Sequence, residues 1–179
     1  DYIRSSFKDI LDIEKNLNTL EDEMSTHYDE KIVSKYNDLL SRYEYMGGYR
    51  YKKEIEVILN KFDFSDDDKD KYLNEFSGGQ LTKLSLIRLL LSKPDLLILD
   101  EPTNHLDIKA IEWLEDYLKG YKGSIILVSH DRMFLDNVCN VIYDIEYGTL
   151  TRYSGNYSYF VKKKEEDYIR NLKDYERQQ

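Results

Sequence analysis

The stretch LLILDEP, residues 96–102, decides the fold class of this chain. Its four leading apolar residues predict a strand buried on both faces, and two carboxylates, Asp100 and Glu101, follow at the carboxyl end. A second apolar run, SIILVSH at 124–130, comes after a predicted helix over about 108–119. Strand, helix and strand in this order indicate a parallel α/β sheet, and such sheets bind ligands at the carboxyl ends of their strands.

The segment before this sheet is predicted to be all-helical. Residues 1–46 contain neither proline nor glycine and repeat apolar side chains at helical intervals, which predicts two amphipathic helices joined near THYDE. MGGY at 46–49 predicts a turn, because two glycines weaken a helix and permit positive φ. A third helix is expected over about 50–61, and a short fourth one with Ser65 as its N-cap.

Further elements lie on both sides of the two strands. A helix that begins at the glycines and runs through Ser92 ends at SKPD, because Pro94 prevents continuation. A helix over about 131–139 and strands near VIYDIE and TLTRY follow the second strand. From Tyr157 to Gln179 no proline or glycine interrupts a charged, aromatic-rich stretch, which as a single helix would be about 35 Å long.

Composition and charge exclude several classes of protein. The net charge of −9 argues against nucleic-acid binding over the whole surface, and only residues 152–179 lean basic, with 7 basic and 5 acidic side chains. Cys139 is the single cysteine, which excludes an internal disulfide and a multi-cysteine metal site. The longest apolar runs are too short to cross a bilayer and no signal peptide opens the sequence, so we expect a cytoplasmic protein without membrane insertion.

FSGGQ, residues 76–80, places Ser77, Gly78 and Gly79 at the start of an apolar helix. The backbone N–H groups of a helix start point outward and attract an anion, which favours a phosphate-binding role for this turn. An ordinary glycine turn capped by Ser77 is the alternative. No G-x-x-x-x-G-K-[ST] loop, the usual primary cradle for nucleotide phosphates, occurs in the 179 residues. The turn is therefore a candidate phosphate-binding site in a chain that lacks the usual nucleotide-binding loop.

The carboxylates after the first strand suit two tasks in phosphate chemistry. Asp100 can hold Mg²⁺ through water, and Glu101 can align or deprotonate a water that attacks a γ-phosphate. Solvated edge charge is the alternative for this dipeptide. His130 ends the second strand, so parallel pairing would bring it to the same edge, where it could contact the γ-phosphate and hold Glu101. A structural histidine, or a helix N-cap at Ser129 or Asp131, is the alternative there.

These motifs occur in one fixed order between residues 77 and 130, and that order resembles the second half of an ATP-binding-cassette (ABC) ATPase domain. FSGGQ is similar to the family's signature motif, with Phe76 where Leu is usual. LLILDE resembles Walker B, NHLD at 104–107 resembles the D-loop, and His130 resembles the switch histidine. The sequence DEPTNHLD followed by SHDRMFLDNV resembles the corresponding sequence of the ABC-F subfamily. Members of this subfamily are soluble proteins with two such domains that act on translating ribosomes.

The resemblance implies a role for each matching residue. ATP and Mg²⁺ would be the cofactors, with Asp100 as the metal-binding residue and Glu101 and His130 as the catalytic residues. The cofactor-binding residues would be Ser77, Gly78, Gly79, Gln80 and Asp107. The first four would reach across to ATP held by a second ATPase domain of the same chain, which faces this one head to tail in an ATP-dependent way. The ribosome or its RNA would be the further partner.

The resemblance also divides the chain into three parts. Residues 1–92 would form a helical subdomain ending in the signature helix, residues 93–155 the carboxyl-terminal α/β core lobe, and residues 156–179 the start of an interdomain linker helix. The expected fold class is α/β: a partial P-loop NTPase core with a parallel sheet, an inserted α-helical subdomain and a C-terminal linker helix. Because Walker A and the Q-loop glutamine are missing, we expect a piece of a longer ATPase that is inactive alone.

Three rival interpretations are open. The ATPase subunit of a membrane ABC transporter shares the signature, Walker B and the switch histidine, but it would lack the linker start YSGNY at 153–157. A chromosome-maintenance or DNA-repair head would follow a long coiled coil, and PTNHLD does not suit it. From another class, a non-enzymatic helical interaction module would bind a partner through its long helices without turnover.

Overall fold

The computed structural model describes residues 1–27 and 29–178. Tyr28, inside the predicted THYDE joint, and Gln179, the last residue of the predicted tail helix, lie outside the described residues. The chain divides after Asp95 into two units, each with its own buried residues. In the part that the structure describes, every helix is too short or too polar to cross a membrane.

The first unit is helical, as its apolar spacing predicts. A 3₁₀ turn over Arg4–Phe7 precedes the first α-helix. The α-helices are α1 (Lys8–Thr26), α2 (Glu30–Tyr45), α3 (Tyr51–Lys61) and α4 (Gly78–Leu91). Asp29 caps α2 by accepting a hydrogen bond from the Lys31 backbone N–H at 2.9 Å.

One predicted helix of the first unit has a different form. The segment after Ser65 forms two short 3₁₀ helices, Asp66–Asp70 and Leu73–Glu75, rather than an α-helix. The Asp68 carboxylate accepts the Ser65 backbone N–H at 2.8 Å and the Lys71 ammonium at 2.7 Å. Such local side-chain bonds compete with a regular helical ladder, and they tighten this acidic segment into 3₁₀ turns.

Helix α1 packs one apolar face against α2. The buried residues of that face are Ile10, Ile13, Leu17 and Leu20. The Glu14 carboxylate ties the helix pair to α3. It accepts hydrogen bonds from Tyr51 Oη, Lys52 Nζ and Tyr43 Oη at 2.9, 3.0 and 3.5 Å. Burial alone would raise the pKa of Glu14, but the hydrogen bonds from Lys52 and Tyr51 outweigh it and lower the pKa below its usual value.

The predicted MGGY turn joins α2 to α3. Gly47 has a φ of +80°, in the left-handed region that glycine adopts without the cost of a Cβ. Gly48 donates its N–H to the Tyr43 carbonyl oxygen at 2.8 Å, and a Cβ on Gly48 would collide with the Tyr43 ring. The two glycines are therefore needed for different reasons, one for backbone conformation and one for close approach.

The second unit holds the predicted α/β part. Strands β1 (Leu96–Asp100) and β2 (Ser124–Val128) pair in parallel, with Asp100 opposite Val128, and α5 (Ile108–Lys119) connects them. The remaining elements are α6 (Arg132–Val138), the antiparallel hairpin of β3 (Val141–Glu146) and β4 (Thr149–Ser154), and α7 (Tyr157–Gln178). The parallel β1–α5–β2 unit confirms the predicted fold class.

The expectation that β1 is buried on both faces is wrong for this chain. Leu97 and Leu99 are buried, but Leu96 is 48% exposed and Ile98, on the same face, is 62% exposed. Leu97 and Leu99 share one face of β1, and only that face is covered within the described residues. The unbroken apolar run therefore identified the strand correctly, and the second face of β1 is open in the part of the chain that the structure describes.

Three residues near the start of α7 contact the rest of the second unit. Asp136 of α6 accepts the Ser158 backbone N–H at 2.6 Å. The Phe160 ring meets the Tyr153 ring edge to face, with centroids 5.0 Å apart. Lys164 lies 2.7 Å from a carboxylate oxygen of Asp144 and 3.1 Å from one of Glu146. The predicted single helix is confirmed over Tyr157–Gln178, a length of about 33 Å.

Candidate functional site

The SGGQ turn, residues 77–80, opens α4 with reciprocal hydrogen bonds. The Gln80 backbone N–H donates to Ser77 Oγ at 3.3 Å, and the Ser77 backbone N–H donates to Gln80 Oε1 at 3.0 Å. Because Ser77 Oγ accepts in this pair, its own O–H remains available to donate to a ligand. The N–H groups of Gly78 and Gly79 belong to the first helical turn, where no intrahelical carbonyl can accept them.

Gly78 leaves open space in front of this turn. A Cβ built on Gly78 would meet nothing within 4 Å in the described part of the chain. Packing inside the chain therefore does not require a glycine at this position, in contrast to Gly48. A group that approaches the backbone from outside would require it, because a side chain at Gly78 would occupy the room that such a group needs.

Glu101 occupies a strained position at the end of β1. Its backbone N–H donates to the Val128 carbonyl oxygen at 2.8 Å and so extends the parallel ladder by one bond. Its φ of +46° lies in the left-handed region, which is costly for a residue with a Cβ and is found preferentially at functional sites. Asp100, one residue earlier, is exposed at the end of the same strand.

His130 lies beside Glu101, as parallel pairing predicts. The His130 backbone N–H donates to Glu101 Oε2 at 3.3 Å, and His130 Nε2 lies 3.6 Å from Glu101 Oε1. The imidazole is 99% exposed, whereas the Glu101 side chain is 24% exposed. Glu101 Oε1 is buried and accepts no hydrogen bond from any described residue. A buried carboxylate oxygen of this kind is unfavourable unless a further donor reaches it.

The segment after His130 shows which residue caps α6. Asp131 is the N-cap of α6, because its carboxylate accepts the backbone N–H groups of Met133 and Phe134, both at 3.0 Å. Ser129 Oγ accepts the Asp131 backbone N–H at 3.1 Å. The capping role therefore belongs to Asp131, and the His130 imidazole takes no part in it.

The PTNHLD turn leads from Glu101 into α5. The Asn104 backbone N–H donates to the Glu101 carbonyl oxygen at 3.2 Å, and His105 has a φ of +65°. Asp107 is the N-cap of α5 and accepts the Ala110 backbone N–H at 2.9 Å. A structural task for Asp107 is thus visible, while its cofactor-binding role stays a prediction.

The predicted site residues fall into two groups. Ser77, Gly78, Gly79 and Gln80 lie in the first unit, and Asp100, Glu101, Asp107 and His130 lie in the second. Within residues 1–27 and 29–178, no three His, Cys, Asp or Glu side chains form a group that could hold a metal ion. Asp100 fits Mg²⁺ as a single protein ligand, since Mg²⁺ keeps several waters and takes only one or two carboxylates beside phosphate oxygens.

Sequence reasoning overlooked the residues that support the SGGQ turn from the segment before it. The Phe76 ring contacts both Phe64 and Lys71 there, and Asp68 holds Lys71. The spacing of Ser65 and Asp68, three residues apart, is the signal of a capping box and would have predicted the Asp68 bond. The contacts of the Phe76 ring with Phe64 and Lys71 have no comparable spacing signal in the sequence.

Comparisons with known proteins identify the family of this chain. The family model described as ABC transporter matches residues 3–104, and a second model with the same description matches residues 143–179. The chain is 36% identical over 167 residues to the ATP-binding protein Uup of Haemophilus influenzae, covering 93% of this chain and 25% of that protein. It is 38% identical over 143 residues to the energy-dependent translational throttle protein EttA of Mycobacterium tuberculosis, covering 80% and 25%.

A solved structure described as the ATP binding subunit of an ABC transporter has the same fold. The TM-score is 0.52 at 23% sequence identity, with 59% of this chain and 45% of that chain covered. The chain spans about a quarter of the length of the curated relatives that it matches.

Proposed function

Because this chain belongs to the ABC ATPase family, in its ABC-F subfamily, we propose that it supplies residues to ATP hydrolysis in a longer protein with two ATPase domains. The observation that carries the proposal is the buried Glu101 Oε1, which accepts no hydrogen bond from the described residues and lies 3.6 Å from His130 Nε2. A water would satisfy this oxygen once a turn of the carboxylate opened it to solvent. The open space at Gly78 would leave room for a phosphate to approach the backbone.

Glu101 and His130 are the proposed catalytic residues. Bound ATP with Mg²⁺ would supply the γ-phosphoryl group and its leaving group. Glu101 Oε1 would orient the attacking water and accept its proton, and its buried position favours a directed hydrogen bond over a solvated one. His130 would hold Glu101 through its backbone N–H and keep its exposed imidazole free to contact the γ-phosphate.

Asp100 is the proposed magnesium-binding residue. It follows four apolar strand residues and is exposed at the carboxyl end of β1, next to Glu101. A single carboxylate at that position would bind Mg²⁺ directly or through a water, with nucleotide oxygens and waters as the other ligands. Asp107 would contribute to nucleotide binding from the start of α5.

The SGGQ turn would contact a second nucleotide, separate from the one that Asp100, Glu101 and His130 would serve. Ser77 would donate its O–H, and Gly78 and Gly79 would donate their N–H groups, to the γ-phosphate of ATP held by the second ATPase domain. The side-chain oxygen Oε1 of Gln80 accepts the Ser77 backbone N–H, which leaves the side-chain NH2 of Gln80 as a donor. Each nucleotide would then bridge the two domains, so that binding joins them and hydrolysis releases them.

We further propose that the parent protein acts on the ribosome in the cytoplasm, in translation or in resistance to ribosome-targeting antibiotics. The name of the M. tuberculosis relative, a translational throttle protein, supports this proposal. The basic balance of residues 152–179 also suits contact with RNA. A membrane-transporter subunit is the alternative, but the structural likeness at 23% identity supports only the fold. A non-enzymatic interaction module would give no role to the buried Glu101 Oε1 beside His130.

Glu101→Gln in the parent protein tests the enzymatic part of the proposal. We expect ATP turnover to fall at least about 100-fold, because an amide cannot accept the proton of the attacking water. Glu112→Gln, at an exposed position of α5, is the matched control and should leave turnover unchanged. Turnover of the Glu101→Gln protein within about twofold of wild type would show that Glu101 is not the base.

Sedimentation tests the ribosomal part separately. The Glu101→Gln protein should be trapped with ATP bound and should appear in the ribosome pellet only when ATP is present. Its absence from the pellet under these conditions would exclude ribosome binding while leaving the ATPase assignment intact.

A further inference from the structure

A closed set of contacts surrounds the segment that leads into the SGGQ turn. We call Phe64, Ser65, Asp68, Lys71 and Phe76 the clasp. Asp68 accepts the Ser65 backbone N–H at 2.8 Å and the Ser65 hydroxyl at 2.9 Å, and its other oxygen accepts Lys71 Nζ at 2.7 Å. Lys71 Nζ lies 5.9 Å from the centroid of the Phe76 ring. The Phe76 ring in turn meets Phe64 at 6.0 Å, nearly edge to face.

The clasp is anchored at one end and open at the other. Phe64 is buried, and its backbone N–H donates to the Leu59 carbonyl oxygen at 3.0 Å, which fixes it to the end of α3. Phe76 is only half-buried, because an open cleft of about 830 Å³ lies beside it. With a cleft on one side, the Phe76 ring depends on Phe64 and Lys71 for its position rather than on a surrounding core.

Phe76 is directly bonded to Ser77, the N-cap of α4. The capping bonds between Ser77 and Gln80 fix the turn from its helical side, and the clasp fixes it from the other side. Phosphate contacts of the kind proposed for Ser77 are sensitive to small displacements, since misplacing a reacting partner by about 1 Å can cost about 100-fold in rate.

We propose that Phe76 is a positioning residue: Phe64 and Lys71 hold its ring so that the Ser77 hydroxyl meets the γ-phosphate of ATP on the partner domain. This inference rests on the proposed function of the SGGQ turn. Phe76 touches no nucleotide itself, and its contribution passes entirely through Ser77.

The test measures steady-state ATP turnover of the parent protein. Phe76→Leu keeps an apolar side chain but removes the aromatic face and edge, and Lys71→Met removes the cation but keeps the stem. Each change should lower kcat by about 2- to 10-fold, the range that an aromatic pair contact supports, with KM for ATP unchanged. Phe76→Tyr keeps the ring and should retain wild-type turnover.

The control is Phe160→Leu, which breaks a similar edge-to-face pair with Tyr153 in the second unit. It should lower thermal stability as much as Phe76→Leu does while leaving kcat unchanged. A double-mutant cycle adds the decisive readout: in a Ser77→Ala background, Phe76→Leu should have no further effect on kcat.

The outcomes separate the two proposals. If Ser77→Ala slows turnover and Phe76→Leu does not, the clasp proposal is overturned and the proposed function stands. The same follows if Phe76→Leu lowers kcat equally in the Ser77→Ala background, because the effect then does not pass through Ser77. If Ser77→Ala itself leaves turnover unchanged, the proposed role of the SGGQ turn fails and the clasp proposal fails with it.

Discussion

His130 meets Glu101 at both carboxylate oxygens: its backbone N–H donates to Oε2 at 3.3 Å, and its Nε2 lies 3.6 Å from Oε1. The first contact belongs to the main chain and would survive any substitution of the side chain except proline, which has no backbone N–H. The second depends on the imidazole alone. Substitution at His130 therefore separates the support of Glu101 from the chemistry of the imidazole.

Replacement of His130 by Ala is expected to slow ATP turnover of the parent protein by about 100-fold, the usual cost of removing one polar contact to a transition state. Because the main-chain bond to Glu101 persists, the thermal midpoint should stay at its wild-type value. His27→Ala, at an exposed position of the first unit, is the matched control. Turnover of His130→Ala within twofold of wild type would assign this histidine a structural role only.

Glu14→Ala is expected to destabilise the helical unit by about 1 to 3 kcal/mol, because Tyr51 and Lys52 lose the acceptor that joins α3 to α1. Urea unfolding monitored by circular dichroism measures the change. Glu23→Ala removes an exposed carboxylate from the same helix and should stay within about 0.5 kcal/mol of wild type. Equal effects of the two substitutions would show that the Glu14 contacts contribute nothing.

The acid stability of the first unit should depend on Asp68. Hydrogen bonds from Lys71 and Ser65 lower the pKa of Asp68 to about 2 from its usual 3.8. A carboxyl group with a lowered pKa in the folded state contributes stability that is present above its unfolded pKa and is lost as the pH falls through its folded pKa. The contribution should therefore be complete above about pH 4 and disappear toward about pH 2.

Thermal melting of wild type and Asp68→Asn across this range checks the expectation. Other carboxylates titrate in the same window, so the relevant quantity is the difference between the two midpoints. That difference should shrink between pH 5 and pH 2, because the protonated wild-type carboxyl resembles the amide. A difference that stays constant over the whole range would contradict the assigned cause of the shift.

Local patterns predicted most of the secondary structure. Helix α5 runs over Ile108–Lys119 and ends before Gly120, as expected, because apolar spacing and a glycine act within a few residues of the chain. The same holds for the turn at Gly47, whose φ is positive. The parallel pairing of β1 and β2 was predictable from the single helix between them, because parallel neighbours need a crossover of this kind.

Properties that depend on distant neighbours were less predictable. Ile98 lies on the open face of β1 in this chain, and an unbroken apolar run does not indicate which face of a strand is covered. The left-handed conformation of Glu101 could not be predicted either, because a glutamate rarely adopts it without surrounding constraints. Sequence placed Glu101 and His130 at one edge, and only coordinates give the two distances between them.

The start of α7 depends on a residue outside that helix. Ser158 donates its N–H to Asp136, which lies in α6 and is 22 residues earlier in the chain. An isolated peptide with the sequence of α7 would lack this acceptor, and helices in proteins owe most of their stability to tertiary contacts of this kind. The Asp136 bond therefore sets part of the direction in which α7 leaves the second unit, together with the contacts to β3 and β4. Asp136 lies in α6, whose N-cap Asp131 directly follows His130, so a single short helix connects the tail to the neighbourhood of the histidine.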